Sequence, residues 1–588
     1  MVENDILFFN LHRRYLNKSD GFGGFLGIFS LAAFLNQNGY EAKSFAGQLI
    51  EGKKLIDEAC SQQKVAVIGL YCDYENVTEN IFLSNYIKTT YNIPVIIGGP
   101  QATALGEDFI DKAKCDAIVR YEGELTVLEL MNYFLYENCS LKDIKGIMFK
   151  QEGKLYIQPE QRIIEDLDRL PFIDDNCYLV PNRNSNELSI MTGRGCPFHC
   201  TFCHEGHHTR KVRFRTIENV LSEIEIFLKK RSHLRYVYIL FTDDTFTLIP
   251  SRVKQLCEGL KRLKQIKNFS WFCEGHVHTL YLHPEMIDYM VEAGVQRIQL
   301  GIEAGTQEIL DAYKKGSTIE EIKFVVKKCQ EAGVQQIYSN IILGGAFFTR
   351  DIYQKNVQFA KDLLSLGKGA VELGAVSYWP LPETAITNNP EQYGIKIIDK
   401  DFLTANGDFP QTETDKLTKW DINFMLQDME QQLLEHMKMM LKKDKVSTKN
   451  ILIWFPEDET LKSIGRWWYC LAQMPNLLAY YSMLLTKEVG KSKDFSDEEY
   501  VALHPMRVIS IYLYAKKIDD NTIKIFDCEL TGVEREIFLY TTGKVSIREI
   551  INILTKKYIQ YTYDEMENLV IKTLNKLEKE HLIVFSKY

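Results

Sequence analysis

No stretch of this chain stays apolar over the roughly 20 residues a membrane-spanning helix requires. The best candidate, 25–35, is interrupted by Ser30 and patterned as an amphipathic helix. A membrane partner is therefore not expected. Internal repeats and low-complexity tracts are also missing, which removes solenoids and propellers. There is no basic excess: 70 Lys and Arg face 79 Asp and Glu, a net charge of −9. That balance argues against nucleic acid as a main partner. No secretory leader pattern opens the sequence, and its thirteen cysteines are odd in number and scattered. A disulfide scaffold is thereby excluded, and a reduced, cytoplasmic chain is expected.

What is present is ordinary for globular protein: 588 residues, 45% hydrophobic and 25% charged, enough for three or four domains. The informative exception is the run from Gly195 to Cys203, in which Cys196, Cys200 and Cys203 fall within eight residues. Three thiolates so spaced can hold three irons of a 4Fe–4S cubane and leave the fourth iron open for chemistry. Zinc with a fourth ligand from His199, His204, His207 or His208 is the bland alternative. His204-Glu-Gly-His-His208 even satisfies H-E-x-x-H. That motif works only on a helix, and here it starts one residue after a cysteine and contains Gly206.

The cysteine spacing, with Phe202 just before the last thiol, closely resembles that of the radical SAM enzymes. The resemblance implies that S-adenosylmethionine chelates the open iron and is split by one electron into a 5′-deoxyadenosyl radical. A donor such as flavodoxin or ferredoxin is then needed.

Residues 1–145 alternate apolar strand patterns (5–10, 65–71, 94–97, 116–119) with helix patterns. This predicts a doubly wound parallel sheet, an α/β domain whose ligand sits beyond the strand carboxyl ends. The loops there are Gly98-Gly99-Pro-Gln101-Ala-Thr103 and Arg120-Tyr-Glu122-Gly123-Glu124. Both resemble the cobalamin-binding domain that precedes many radical SAM cores, which implies cobalamin contacts at Gly98, Gly99, Gln101, Thr103, Glu122 and Gly123. The competing dinucleotide reading rests on Gly21, Gly23 and Gly27, whose spacing is wrong and which lie too far past the strand. A lower cobalt ligand would be His12, but Asn10-Leu-His-Arg-Arg lacks the aspartate and glycine of D-x-H-x-x-G. Cobalt without a histidine beneath it is the expectation.

Residues 146–184 read as a hairpin and linker. From 185 to 395, six strand patterns alternate with helices, predicting a partial (β/α)6 TIM-type barrel with active groups at strand carboxyl ends. The cysteine loop follows the first strand. Asp243 and Asp244 end the second and suit a cationic ammonium, or a helix cap. Glu274 and His276 end the third, Asn340 and Gly344-Gly345 the fifth, and Tyr378 the sixth. Gly301-Ile-Glu303-Ala-Gly305 resembles the G-I-E-[SA]-G element of these enzymes, which implies that Glu303 lies near the ribose or sulfonium. Phe202, Asp243, Asp244, Glu274, Glu303, Asn340 and Tyr378 form the expected S-adenosylmethionine site. Arg213 and Arg215 are read either as partners of its carboxylate or as solvated surface.

Residues 396–515 read as a helical cap. Residues 516–588 read as a winged helix with capping boxes at Ser546/Glu549 and Asp564/Glu567. This module resembles PqqD-like domains, which implies capture of the leader segment of a ribosomal peptide by strand addition. The expected function is a cobalamin-dependent radical SAM C-methyltransferase acting on a small molecule or a peptide. A radical cyclase, epimerase or crosslinker, and a non-enzymatic cobalamin or redox sensor, are the alternatives.

Overall fold

Two segments rich in β-branched and aromatic residues, Asp5–His12 (β1) and Val65–Tyr71 (β3), start the N-terminal sheet. Both are buried on both faces, and a run with no polar face is stable only between two helical layers. In the computed structural model they lie side by side in a seven-stranded sheet with Ala42–Gln48 (β2), Val95–Gly98 (β4), Ala117–Val119 (β5), Ile147–Gln151 (β6) and Lys154–Ile157 (β7). The order is β2-β1-β3-β4-β5-β6-β7. The first five are parallel; β6 and β7 add antiparallel. The model describes all residues except 1–4, 13–25, 63, 182–184, 205–210, 399–408, 456–459, 463–464, 486–487, 497 and 588. One core lies on each face of the sheet. Phe9, Leu70, Ile97 and Phe109 fill one, and Phe8, Val67, Val119 and Phe149 the other.

Two expectations need correcting. The hairpin read as a linker is the antiparallel edge of this sheet, because Ile118 and Val119 pair with Met148 and Ile147. β2 was not anticipated: its sequence, Ala-Lys-Ser-Phe-Ala-Gly-Gln, carries little β signal, and pairing with β1 makes it a strand.

The second sheet holds Glu187–Ile190 (β8), Val237–Phe241 (β11), Phe269–Gly275 (β12), Val295–Leu300 (β13), Gln336–Leu343 (β14) and Val371–Ser377 (β15). Their order is β15-β14-β13-β12-β11-β8, each beside its sequence neighbour, as an open (β/α)6 barrel requires. Between β8 and β11 sits a two-stranded antiparallel ladder, Gly193–Arg194 (β9) with Arg213–Phe214 (β10), which closes the base of the cysteine loop.

The chain divides into two compact units, Met1–Phe359 with Leu373–Glu430, and Ala360–Glu372 with Gln431–Tyr588. The first contains both sheets except for Val371 and Glu372, the first two residues of β15. The second ends in helices Val533–Tyr540, Ile547–Lys557 and Tyr563–Lys579 and strand Ile583–Ser586. That strand pairs with Val489–Gly490 and His504–Arg507, so the small C-terminal fold recruits residues assigned above to the helical cap. The capping box at Ser546/Glu549 is present. The box on the next helix is Thr562/Glu565, not Asp564/Glu567, because the helix starts at Tyr563. Among the described residues no helix is long and apolar enough to cross a membrane.

Candidate functional site

The cysteine loop is pinned from three sides. Thr201 donates its N–H to the Tyr313 carbonyl (3.0 Å) and its hydroxyl to that of Ala312 (2.9 Å), while its own carbonyl accepts from Ile386 N–H. Asp244 accepts the Gly195 N–H at 3.0 Å. Cys196, Cys200 and Cys203 are all free thiols, the first and third half-buried and Cys200 buried. Burial pushes the Cys200 thiol up, while the ammonium of Lys315 pulls it down. Three such sulfurs on one loop, with a cation beside them, are a donor set suited to three irons of a cubane. Among the described residues no His, Cys, Asp and Glu group is gathered to hold a single metal ion. Of the H-E-x-x-H decoy, Glu205, His207 and His208 lie outside the described residues. His204 is in contact with the Pro382 carbonyl at 3.0 Å.

Lys315 was not anticipated. It is buried, and its Nζ stands 3.1 Å from Glu303 Oε1 and 5.9 Å from the Phe202 ring centre. Burial works against its charge, but Glu303 and the thiols of Cys200 and Cys203 hold its pKa above the ordinary value. Its only sequence signal was a Tyr-Lys-Lys-Gly stretch indistinguishable from a solvated helix end. Glu303 itself has φ of +62°, a conformation costly for a residue with a side chain, and is fixed there by bonds to the Asn340 carbonyl and the Ile342 N–H. A Cβ at Gly301 would lie 2.2 Å from Lys315 Nζ and 2.8 Å from Glu303 Oε1, so a side chain there would displace the ion pair.

The two aspartates after β11 part company. Asp243 is buried, accepts the backbone N–H and the hydroxyl of Thr192 at 2.5 Å each, and is raised by burial to about 6. Its carboxyl ties β11 to the start of the cysteine loop. Asp244 lines the cavity described below, and burial raises its pKa against the pull of the Gly195 N–H and Arg194. His276 stacks on Phe198 at 3.8 Å, and burial with the charge of Lys315 lowers it to about 3, so it is neutral. Asn340 lends its carbonyl to Glu303 and its amide to the Tyr338 hydroxyl, Glu274 is half-buried at the end of β12, and Tyr378 is buried behind β14.

A cavity of about 450 Å³ opens at the carboxyl ends of β3, β4 and β5. Gly69, Gly98, Gly99, Thr103, Tyr121, Glu122 and Gly123 line it from the N-terminal sheet, and Ser189, Arg194, Thr242 and Asp244 from the barrel. Gly99, at φ +107°, is obligatory because a Cβ would meet the Cys72 carbonyl oxygen at 2.4 Å. The Ser189 hydroxyl is buried at this wall with no hydrogen-bond partner. A glycine-floored cavity with an unsatisfied hydroxyl fits a broad group with polar edges. Gln101 is not part of the lining: it is buried, and its backbone N–H binds the Cys72 carbonyl.

His12 also stays out of the cavity lining. It is in contact with Asn10 at 2.9 Å, lies 3.8 Å from Asp73, and is kept neutral chiefly by burial. Residues 13–25, with Gly21 and Gly23 of the dinucleotide pattern, lie outside the described residues.

Arg213 and Arg215 are buried, not solvated, and Arg215 keeps one terminal nitrogen unpartnered among the described residues at the cavity wall. Arg213 is buried against Glu122 and the Ile164 carbonyl, and Arg215 is paired with Glu223 at 2.6 Å.

Comparison with known proteins agrees with this geometry. Residues 190–359 match the Radical SAM superfamily model, and residues 14–131 match the B12 binding domain model. An uncharacterized methyltransferase, PH0819 of Pyrococcus horikoshii, is 31% identical over 305 residues, 49% of this chain and 60% of that protein. An anaerobic magnesium-protoporphyrin IX monomethyl ester cyclase of Rubrivivax gelatinosus is 26% identical over 46% of this chain and 49% of its own length. The chain thus spans between about half and three fifths of these curated relatives. The solved cobalamin-dependent radical enzyme OxsB, with aqua-cobalamin bound, has the same fold. It aligns with a TM-score of 0.57 and 17% identity over 98% of this chain and 81% of its own. This chain carries a B12-binding domain, which implies cobalamin, followed by a radical SAM domain, which implies a 4Fe–4S cluster with S-adenosylmethionine.

Proposed function

We propose that the protein is a cobalamin-dependent radical SAM enzyme that methylates an unactivated carbon of a small molecule or a ribosomally made peptide. One observation carries this reading. A single cavity is lined both by the glycine loops of the N-terminal sheet and by the strand ends of the barrel, directly beside the loop of three thiols. When bound, the cluster supplies the electron that opens the sulfonium of S-adenosylmethionine, and cobalamin supplies the methyl group.

The chain's own residues position and insulate. Cys196, Cys200 and Cys203 would hold three irons. Asp244 is placed to accept hydrogen bonds from the ammonium of S-adenosylmethionine, while Asp243, engaged with Thr192, keeps that loop in place. Glu303 and Lys315 form a fixed ion pair beside the thiols, oriented for the ribose and the negative charge of the cosubstrate. Phe202 packs on Tyr313 at 4.8 Å beside the thiols, with Glu274, Asn340 and Tyr378 framing the remaining strand ends. A reducing cytoplasm with a flavodoxin or ferredoxin donor is the setting such chemistry needs.

Anaerobic turnover tests the reading. One 5′-deoxyadenosine and one S-adenosylhomocysteine per methyl transferred are expected. Deoxyadenosine without S-adenosylhomocysteine would hand the site to a cyclisation or rearrangement, a reading favoured by the likeness to a cyclase. Cobalamin retained without any cleavage of S-adenosylmethionine would make the protein a sensor.

For the C-terminal fold we propose a PqqD-like role, the capture of an extended, acidic peptide. Strand Ala515–Lys517 pairs with Thr522–Ile525 and with no other strand among the described residues. Tyr512 and Leu513, just before it, are 92% and 68% exposed, and Lys516 and Lys517 supply positive charge. Strand addition to such an edge uses main-chain bonds for affinity and side chains for choice. A labelled acidic peptide should bind the full chain and be released by Lys517→Pro. Unchanged binding would remove this edge from the account.

A further inference from the structure

Glu122 was read from sequence as a cobalamin contact, but its carboxylate faces the barrel. Oε2 lies 3.2 Å from Arg194 and 3.1 Å from Arg213, and Oε1 is bonded to Arg213. Glu124 adds a 2.6 Å pair to Arg194. All four side chains are at least 84% buried. The two arginines are not arbitrary neighbours: they stand directly opposite each other in the β9–β10 ladder, at the neck from which the cysteine loop springs. Like charges opposed across two strands repel, and here they are also out of water. Gly193, whose added Cβ would come within 2.6 Å of Phe214, shows how closely the strands approach there.

The neck therefore closes only with Glu122 and Glu124 in place. Glu122 sits on the loop after β5 with cavity-lining Tyr121 and Gly123, and Glu124 is the first residue of the helix that this loop opens, Glu124–Tyr136. That loop is itself conformationally constrained, with Tyr121 at φ +62°. A group filling the cavity would fix this loop, and a loop so fixed would hold the neck of the cysteine loop.

We propose that Glu122 and Glu124 are positioning residues that couple cobalamin binding to cluster assembly, each tightening the other by the same factor, as linkage demands. This rests on the reading that the cavity takes cobalamin and the three thiols take the cluster.

The test uses the full chain and measures cobalamin affinity by absorbance titration. It compares cluster-loaded wild type with the cluster-free C196A/C200A/C203A protein. The loaded form should bind at least about fivefold more tightly. Glu122→Gln, measured in both backgrounds, should bring the two affinities within about twofold, and Glu122→Asp should restore part of the gap. A merely structural role for Glu122 would weaken both affinities together and leave their ratio unchanged. Cobalamin should likewise slow the loss of iron to a chelator in wild type but not in Glu122→Gln. Equal affinities in the two wild-type states, or a full gap surviving in Glu122→Gln, would overturn the coupling while leaving the cavity assignment intact. Absence of cobalamin binding in both states would remove that assignment and the coupling with it. If Glu122→Gln does not fold, Glu124→Gln measured in the same two backgrounds decides: a gap narrowed to about twofold supports the coupling, and a full gap overturns it.

Discussion

The two parallel sheets of the first unit solve one problem in opposite ways. Both present loops beyond their strand carboxyl ends. The N-terminal sheet makes its site by removing side chains: Gly69, Gly98, Gly99 and Gly123 floor the cavity, and most charges on its wall, Arg194, Arg215, Glu223 and Asp244, come from the barrel side. The barrel makes its site by pairing polar groups in buried places: the charges of Glu303 with Lys315 and Arg215 with Glu223, and the hydrogen bonds of Thr192 to Asp243. A site of the first kind tolerates a large, flat guest. One of the second kind fixes a small cosubstrate to within a fraction of an ångström, because each group is held by another.

The sharpest way to break this comparison is at the thiols. Replacing Cys196, Cys200 or Cys203 with Ala should abolish both the cluster absorbance and the cleavage of S-adenosylmethionine. Cobalamin binding should survive, weakened only by the coupling factor, because the glycine cavity has its own walls. Loss of the fold in these variants, checked by circular dichroism, would mean that the barrel site is not separable from the core.

Lys315→Met probes the paired-charge half. It leaves Glu303 half-buried, at positive φ and without its cation, and breaking a buried pair costs about 3 kcal/mol. A denaturant midpoint shifted by that amount is expected; a shift under about 1 kcal/mol would place the pair among weak surface bridges. Gly99→Ala probes the glycine half. Its φ of +107° and the 2.4 Å clash with Cys72 predict a loss of about 2 kcal/mol, with cobalamin affinity falling as the floor rises.

Asp243 supplies a pH signature on the barrel side. Its folded pKa of about 6 lies above the ordinary carboxylate value of 3.8, so the folded state binds the extra proton. Stability contributed by the protonated form is full below about pH 4 and fades as pH rises through about 6, at up to about 1.4 kcal/mol per pH unit. Asp243→Asn should show no such decline between those values when the two proteins are unfolded in parallel. Parallel curves would mean that Asp243 is ionised at no cost.

Much of this was legible in the sequence, for identifiable reasons. The six barrel strands and most of the N-terminal ones were found because runs such as Val-Ala-Val-Ile-Gly-Leu-Tyr carry their burial in their composition. The cysteine loop, Glu303 and the glycine loops were found because each is a local pattern. What was missed is what only three dimensions bring together. β2 is a strand through its partner, the 146–164 hairpin joins a sheet through pairing with β5, and Lys315 matters through groups 12 and 115 residues before it. For Arg213 and Arg215, read as partners of a carboxylate or as solvated surface, the second alternative falls for the same reason: Arg213 is buried against Glu122, from a distant segment, and Arg215 against Glu223.

The smallest effect tests the most local error. Asp564 was read as the cap of the last helix, yet the side chain that accepts from that helix is Thr562, whose hydroxyl takes the Glu565 N–H at 3.3 Å while Glu565 reaches back to the Thr562 N–H at 2.8 Å. Both residues satisfy the S/T/D-x-x-E pattern, so composition alone does not separate them. The register is set by burial: Met566, Val570, Thr573, Leu574 and Leu577 face the small core, and that phase starts the helix at Tyr563. Thr562→Ala should therefore cost about 1 kcal/mol, while Asp564→Ala, giving up only its favourable place in the first turn, should cost about 0.3 kcal/mol. Equal losses would mean that the first turn does not depend on the Thr562 cap from which its buried face starts it.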